Sequence, residues 1–366
     1  MEKQITSRLG FGCMRLPVDQ NNEIDIEHFK AMADYAMENG INYFDTAYGY
    51  HSEKSEGAVK TAVVDRYPRE SFFLADKLPL WKIEADGDAE RIFNEQLERT
   101  GAEYFDYYLL HAVNKGRVET IRKFDLVPFL KEMKAQGKIK RLGFSFHDTA
   151  EVLADFIGDY EWDFIQLQLN YYDMERADFK AQYDLVRSRN IPVAVMEPVR
   201  GGFLARTVPD AQKIIEANYG ENKSASLALS YVNNLEGVYI VLSGMSNLDQ
   251  LKDNVVTFAN PIPMDEKAEK VIADVMAAIN AFSVVDCTKC EYCMPCPVGL
   301  DIPKIFETYN KYEMFRNDWQ VTDARKAMAV QPTECINCGV CATHCPQAIN
   351  IPEQIAAFNK RTEHIK

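Results

Sequence analysis

The sequence predicts an α/β chain in which a closed barrel of eight strand-helix units is followed by a small, mainly helical, cysteine-rich domain. Two observations carry this. Short apolar runs alternate with amphipathic stretches eight times ahead of residue 283, and eight of the nine cysteines fall between Cys287 and Cys345. Apolar strands that alternate with helices belong to parallel sheets covered by those helices, and eight units in about 250 residues are what a (β/α)8 or TIM barrel requires. An open doubly wound sheet is the competing arrangement, weakened because no GxGxxG stands at a first strand-to-helix turn.

The units read off in order. Arg8 to Arg15, RLGFGCMR, is the first strand; Asp25 to Asn39 then has helical spacing, with Asp25 as its cap and Gly40 as its stop. Further strand-like runs stand at 42–47, 72–77, 104–111, 140–146, 164–170, 193–197 and 239–243. Helices read most clearly at 88–100, 124–136, 174–189 and 248–258 in the barrel, and at 302–315 and 322–329 in the tail.

At 366 residues the chain has room for a large and a small domain, divided as 1–283 and 284–366, and 47% apolar residues suffice for a well-buried core. A formal charge of −14 argues against a nucleic-acid partner, since phosphate binding needs clustered Lys and Arg. No apolar run approaches the roughly 20 residues of a spanning helix, so no membrane partner is expected. The opening MEKQITSR lacks the apolar region of a signal peptide, and a cytoplasmic location is the expectation. Disulfides rarely persist in a reducing compartment, so cysteines two residues apart are read as metal ligands.

Three successive strand ends carry a polar group: Asp45 in YFDTAYGY, Lys77 after FFLA, and His111 after YYLL. In a barrel such ends converge on one face. The glycine-containing turn beyond Asp45 can swing Tyr50 over that carboxylate. A phenol titrates at about pH 10, so it becomes a useful proton donor to a carbonyl only when an ammonium lowers its pKa, and Lys77 is the candidate. Taken singly, a tyrosine near a turn is ordinary packing and a lysine at a strand end is ordinarily solvated. His51 and His147, also near strand ends, are read as loop polar groups.

These residues and their flanks, FDTAYGYHSEKSE, LADKLP and YYLLHA, resemble the motifs of the aldo/keto reductase superfamily. The resemblance lays the family's catalytic tetrad onto Asp45, Tyr50, Lys77 and His111. It implies an NAD(P)H-dependent reductase of a small-molecule carbonyl, an aldehyde, ketone or sugar. Tyr50 would donate the proton, Lys77 paired to Asp45 would acidify it, and His111 would orient the carbonyl oxygen. Cofactor positions follow from the same resemblance. They are Gly12 and Met14 in the first strand, Ser145 in GFSFHD with Gln166 and Asn170 in IQLQLNYYD on the carboxamide side, Met196 and Pro198 at the end of the seventh strand-like run, and Gly201 and Gly202 in EPVRGGFLA toward the pyrophosphate. Gly244, Met245, Ser246, Gln250, Asp253 and Asn254 in LSGMSNLDQLKDNV would hold the adenosine end.

Two departures matter. Met196 stands where many members stack an aromatic ring on the nicotinamide, and Gly244 and Gln250 stand where many place Lys or Arg against a 2′-phosphate, which leaves NAD or NADP open. The family usually opens with a β-hairpin that plugs the barrel bottom; about seven residues precede the first strand here, so something else is expected to cover it. Tyr48, Trp81, Asn114 and Tyr172 are candidates to line the substrate pocket.

In the tail, Cys287, Cys290, Cys293 and Cys296 form CxxCxxCxxCP, while Cys335, Cys338, Cys341 and Cys345 form CxxCxxCxxxCP. The second run is a strong match to a bacterial 4Fe-4S ligand run; zinc, which also takes sets of four cysteines, is the alternative. Together the runs resemble a two-cluster ferredoxin, whose fourth cysteine crosses to the neighbouring cluster. That resemblance implies two 4Fe-4S clusters, one held by Cys287, Cys290, Cys293 and Cys345, the other by Cys335, Cys338, Cys341 and Cys296. The long helical connector makes an α-helical ferredoxin the better comparison. Such clusters would scaffold the barrel or pass single electrons to its pocket. The competing reading is a retired barrel serving as an electron-transfer or binding module for a redox partner such as an electron-transfer protein.

Overall fold

The computed structural model describes residues 3–175, 177–282 and 285–365. Eight parallel strands close a barrel, each hydrogen-bonded to the next and the last to the first. They are β1 (Leu9–Gly12), β2 (Tyr43–Asp45), β3 (Phe73–Leu78), β4 (Phe105–Val113), β5 (Ile139–Phe146), β6 (Phe164–Gln168), β7 (Val193–Met196) and β8 (Val238–Gly244). Closure is direct: Leu9 pairs with Val241 and Gly12 with Gly244, so the open sheet is ruled out. The first strand ends at Gly12 rather than Arg15, because Cys13–Arg15 turns into a short 3-10 helix.

The helices between the strands are α1 (Ile26–Glu38), α2 (Ser55–Val59), α3 (Asp88–Thr100), α4 (Lys115–Lys123), α5 (Leu126–Ala135), α6 (Ala150–Ile157), α7 (Tyr171–Met174), α8 (Ala177–Ser188), α9 (Pro209–Tyr219), α10 (Ser224–Asn233) and α11 (Leu248–Ala259). Their starts follow capping chemistry: Asp25, Asn114, Thr149, Asn170 and Asn247 each accept a backbone N–H from the first turn. Asp25 is the cap expected from sequence, and Gly40 is the expected stop: it follows the C-cap Asn39 with φ 80° and donates its N–H to the Met37 carbonyl at 3.2 Å.

Inside the barrel, near the strand starts, Tyr43, Phe73, Tyr107 and Phe164 form an aromatic layer, with ring centroids 5.0 Å apart for Tyr43 and Tyr107 and 5.1 Å for Tyr107 and Phe164. Room for it comes from Gly143 on β5, where an added Cβ would stand 2.4 Å from the Phe164 carbonyl oxygen. The bottom is covered by the short leading segment itself. Ile5 packs on the aromatic layer, and the Lys3 ammonium lies 4.5 Å from the centre of the Phe73 ring and 2.7 Å from Asp106. Burial draws the Lys3 pKa down to about 8.

The chain forms two compact units, Met1–Pro198 with Ala225–Met264 and Val199–Ser224 with Asp265–Lys366. The expected boundary at 283/284 falls on residues outside the described ones. In the second unit α9 packs with α12 (Glu266–Asn280), where Lys267 donates to the Asn218 carbonyl at 3.1 Å. The tail adds α13 (Ile302–Phe315), α14 (Asp318–Ala327), α15 (Val340–Thr343) and α16 (Ile351–Arg361). Here α14 begins at Asp318, ahead of the expected residue 322, because Asn317 caps it. Ile302, Ile305, Phe306, Val321, Ile355 and Phe358 form its core. No helix among the described residues is long and apolar enough to cross a membrane.

Candidate active site and cysteine cavities

Lys77, next to last in β3, is 0% exposed, and its ammonium donates to Asp45 Oδ1 at 2.6 Å and to the Thr46 carbonyl at 2.7 Å. The turn after β2 lays the Tyr50 ring over that ammonium, 4.9 Å from nitrogen to ring centre. His111 from β4 meets Tyr50 edge to face at 6.0 Å and Trp81 at 5.0 Å. The four residues expected to share a site are therefore together. Burial, opposed by Lys77, pushes the Asp45 carboxyl upward. Burial and then the charges of Lys77 and Arg117 hold His111 well below its ordinary value, so it is a neutral imidazole at working pH.

One expectation is corrected. Tyr50 is not acidified: burial, and next the Asp45 carboxylate, push its phenol well above the ordinary value. The physical reason is that burial strips water from the phenolate and the Asp45 carboxylate repels it, which together outweigh the nearby Lys77 ammonium.

Lys77 is held from behind by groups that sequence reasoning passed over. Asp76 Oδ1 accepts the Lys77 backbone N–H at 2.8 Å, and Gln96 Nε2 donates to the Lys77 carbonyl at 3.1 Å and to Glu56 Oε1 at 2.9 Å. Glu56 also accepts from Arg99 at 3.1 Å. Burial and the neighbouring Glu56 charge drive Asp76 well above the usual carboxylate range. Thr46 and Ser55 share a hydroxyl hydrogen bond of 2.9 Å, and Ser55 donates to the Cys13 carbonyl at 3.1 Å, tying the ends of β1 and β2 to α2. The signal for Asp76 was present in LADKLP: a second charge inside an apolar run.

In the second unit, Cys287, Cys290, Cys293 and Cys345 line one cavity, and Cys296, Cys335, Cys338 and Cys341 line another. These are the two sets that the ferredoxin scheme groups. Ile302, at the start of α13, lines both cavities. All eight thiols are free of disulfides. Among the described residues no three His, Cys, Asp or Glu converge closely enough to hold a single metal ion.

Two family models match the chain, the aldo/keto reductase family over residues 8–273 and the 4Fe-4S dicluster domain over residues 286–349. The chain belongs to the aldo/keto reductase family. Among curated relatives, L-galactose dehydrogenase of Arabidopsis thaliana is 25% identical over 300 residues, spanning 75% of this chain and 92% of that one. The uncharacterized oxidoreductase YqkF of Bacillus subtilis is 25% identical over 281 residues, 68% of this chain and 86% of that one. Among solved structures, a holo-form aldo-keto reductase from Bacillus halodurans matches with a TM-score of 0.59 at 25% identity, covering 74% of this chain and 92% of that one. One from Klebsiella pneumoniae in complex with NADPH matches at 0.61 with 18% identity, covering 75% and 96%, a likeness of fold. This aldo/keto reductase is thus an oxidoreductase barrel fused to a 4Fe-4S dicluster domain.

The remaining positions carried over from the reductase family divide. Ser145 accepts the Ala112 N–H at 2.7 Å and keeps its own proton to donate, and Gln166 approaches only the Met196 sulfur, at 3.4 Å, among the described residues. Asn170 is different: it caps α7, and its amide donates to Asp173 and to the Glu197 carbonyl, so its donors are committed. Gly12 lies opposite Gly244, whose α-carbon is covered by the Arg15 side chain. Arg15 is a cation that the sequence reading missed. Ser246 donates to the Arg15 carbonyl and takes Gln250 on its backbone N–H, Asn254 donates to Ser243, and Met245 is buried. Met14 lies in the 3-10 turn after β1, Pro198 closes the first segment of the barrel unit, and Asp253 sits within α11. Gly201 and Gly202 fold with the second unit.

Of the pocket-lining candidates, Trp81 stands at the site, 39% exposed beside His111. Tyr48 does not line it: its ring packs under Arg99, 4.2 Å away, and its hydroxyl reaches Glu95. Asn114 is occupied in capping α4, and Tyr172 is buried in α7. His147 and His51 lie in the loops after β5 and β2, as expected; burial and Arg117 lower the His147 pKa to about 3, and His51 Nε2 accepts the Leu16 N–H at 3.0 Å.

Proposed function

We propose that the barrel reduces the carbonyl of a small molecule with NADH or NADPH, and that the second unit carries two 4Fe-4S clusters. The observation behind the first is the wholly buried Lys77 ammonium, 2.6 Å from Asp45 and 4.9 Å beneath the Tyr50 ring, with His111 at that ring's edge. Residues with hydrogen-bonding capacity to spare fit a nicotinamide: the Ser145 hydroxyl and the Gln166 amide, both buried. When bound, a dihydronicotinamide supplies hydride to the carbonyl carbon.

The chain's own groups do the rest. Tyr50, kept protonated by burial, passes its O–H proton to the carbonyl oxygen as that oxygen becomes an alkoxide, a stronger base than phenolate. The Lys77 ammonium then stabilises the phenolate left behind. Neutral His111 hydrogen-bonds the same oxygen and fixes its direction without competing as an acid. In the second unit the two cysteine-lined cavities would each hold a cube, and a domain of single-electron centres makes an electron-transfer protein the partner to seek.

Tyr50→Phe is expected to lower turnover by about 10²–10⁴ while leaving nicotinamide Kd unchanged. Undiminished turnover would overturn the assignment. The Arabidopsis relative's name puts sugars first among substrates to screen. Anaerobically purified protein should carry about eight irons per chain, the content of two 4Fe-4S cubes, whereas zinc without iron would reject them.

A further inference from the structure

We propose that Arg200 raises the reduction potential of the cluster held by Cys287, Cys290, Cys293 and Cys345, and clamps the two chain segments that supply its ligands. This rests on the reading that those cysteines hold a 4Fe-4S cluster. Arg200 follows β7 in the chain and is 3% exposed. Its guanidinium pairs with Asp286 at 3.7 Å and donates to Gln347 Oε1 at 3.4 Å. Asp286 adjoins Cys287, and Gln347 lies just past Cys345 and lines the same cavity. One side chain thus ties together the segments bearing the first and the last ligand.

The backbone is committed to the same place. Arg200 has φ 51° and Gly201 φ 62°, and a Cβ on Gly201 would fall 2.2 Å from the carbonyl oxygen of Thr288, which sits between two ligands and lines the cavity. A left-handed conformation at a bulky charged residue persists only where its surroundings over-determine it. The seat on the cysteine segment supplies that constraint.

The charge has a direct electrical consequence. A cube bound by four thiolates becomes more negative on reduction, and a buried guanidinium, which stays charged at any working pH, favours the more negative state. Asp286, weakened by being 37% exposed, and Glu291, a carboxylate that lines the cavity, oppose Arg200 and set the level from which its removal is read. The second cavity is lined by no charged residue among those described, so its cluster serves as an internal reference.

The test is a redox titration of the full chain with both clusters assembled, followed by electron paramagnetic resonance with dithionite as reductant. Arg200→Gln should disfavour reduction of one cluster by about tenfold, 59 mV for a one-electron couple, and leave the other unmoved. Arg200→Lys, which keeps the charge, should stay within about threefold of the parent. Asp286→Asn should shift the same cluster the opposite way, and it decides the matter if Arg200→Gln fails to assemble. Unmoved potentials in assembled Arg200→Gln, equal shifts in the Gln and Lys variants, or an unmoved Asp286→Asn would overturn the proposal alone. An iron-free parent protein would overturn the cluster reading with it.

Discussion

Lys77 and Asp45 form a buried ion pair whose other neighbours are backbone and aromatic groups, so neither charge has water to fall back on. Breaking such a pair by removing one partner strands the other, a cost of about 3–5 kcal/mol, whereas neutralising both restores most of it. Lys77→Met should therefore lower unfolding free energy by about 3–5 kcal/mol, and Asp45→Asn added to it should recover more than half. Urea denaturation of the two variants and the parent checks this. If the double variant were as unstable as the single one, the pair would be a packing feature rather than an electrostatic one.

At the scale of elements, β3 carries two charged residues in succession, Asp76 toward α2 and α3 and Lys77 into the site. Burial and Glu56 hold the Asp76 pKa in the folded protein well above the value of about 4 that it has when unfolded. The folded state then binds more protons than the unfolded one, so this group's contribution to stability declines as pH rises from about 4 toward its raised folded value. Asp76→Asn, neutral at every pH, should remove that decline and be at least as stable as the parent at pH 8, by urea denaturation at pH 4.5 and pH 8. The strands themselves were legible because apolar runs of the right length between capped helices leave few alternatives, and Asp45, Lys77 and His111 were legible because each ends such a run. Other features were not. Asp76 read as part of the flank of Lys77, since nothing local says that Glu56 meets it. Gly201 read as a phosphate-loop glycine, although the backbone it must clear belongs to Thr288, far along the chain. Tyr48 sat next to the site in sequence and turned instead to Arg99 and Glu95.

Taken whole, the molecule is two units with different reasons to be folded. The barrel buries long aromatic and aliphatic layers on every strand, and its stability needs no cofactor to account for it. The cysteine-rich tail has a core of twelve buried residues, and six of its cysteines pack half-buried against that core, so its hydrophobic share is small and its ligands are part of its wall. For such a domain, cluster binding free energy is folding free energy. Removing iron with a chelator under reducing conditions is expected to release the amides of α13, α14 and α16 to fast hydrogen exchange while β1 to β8 stay protected. Exchange followed by mass spectrometry on the full chain reads both sets at once. Equal protection of the tail helices with and without iron would mean that the tail folds on its core alone and that its cavities are rigid before a cluster enters. Loss in both units together would mean that the barrel also draws its stability from iron.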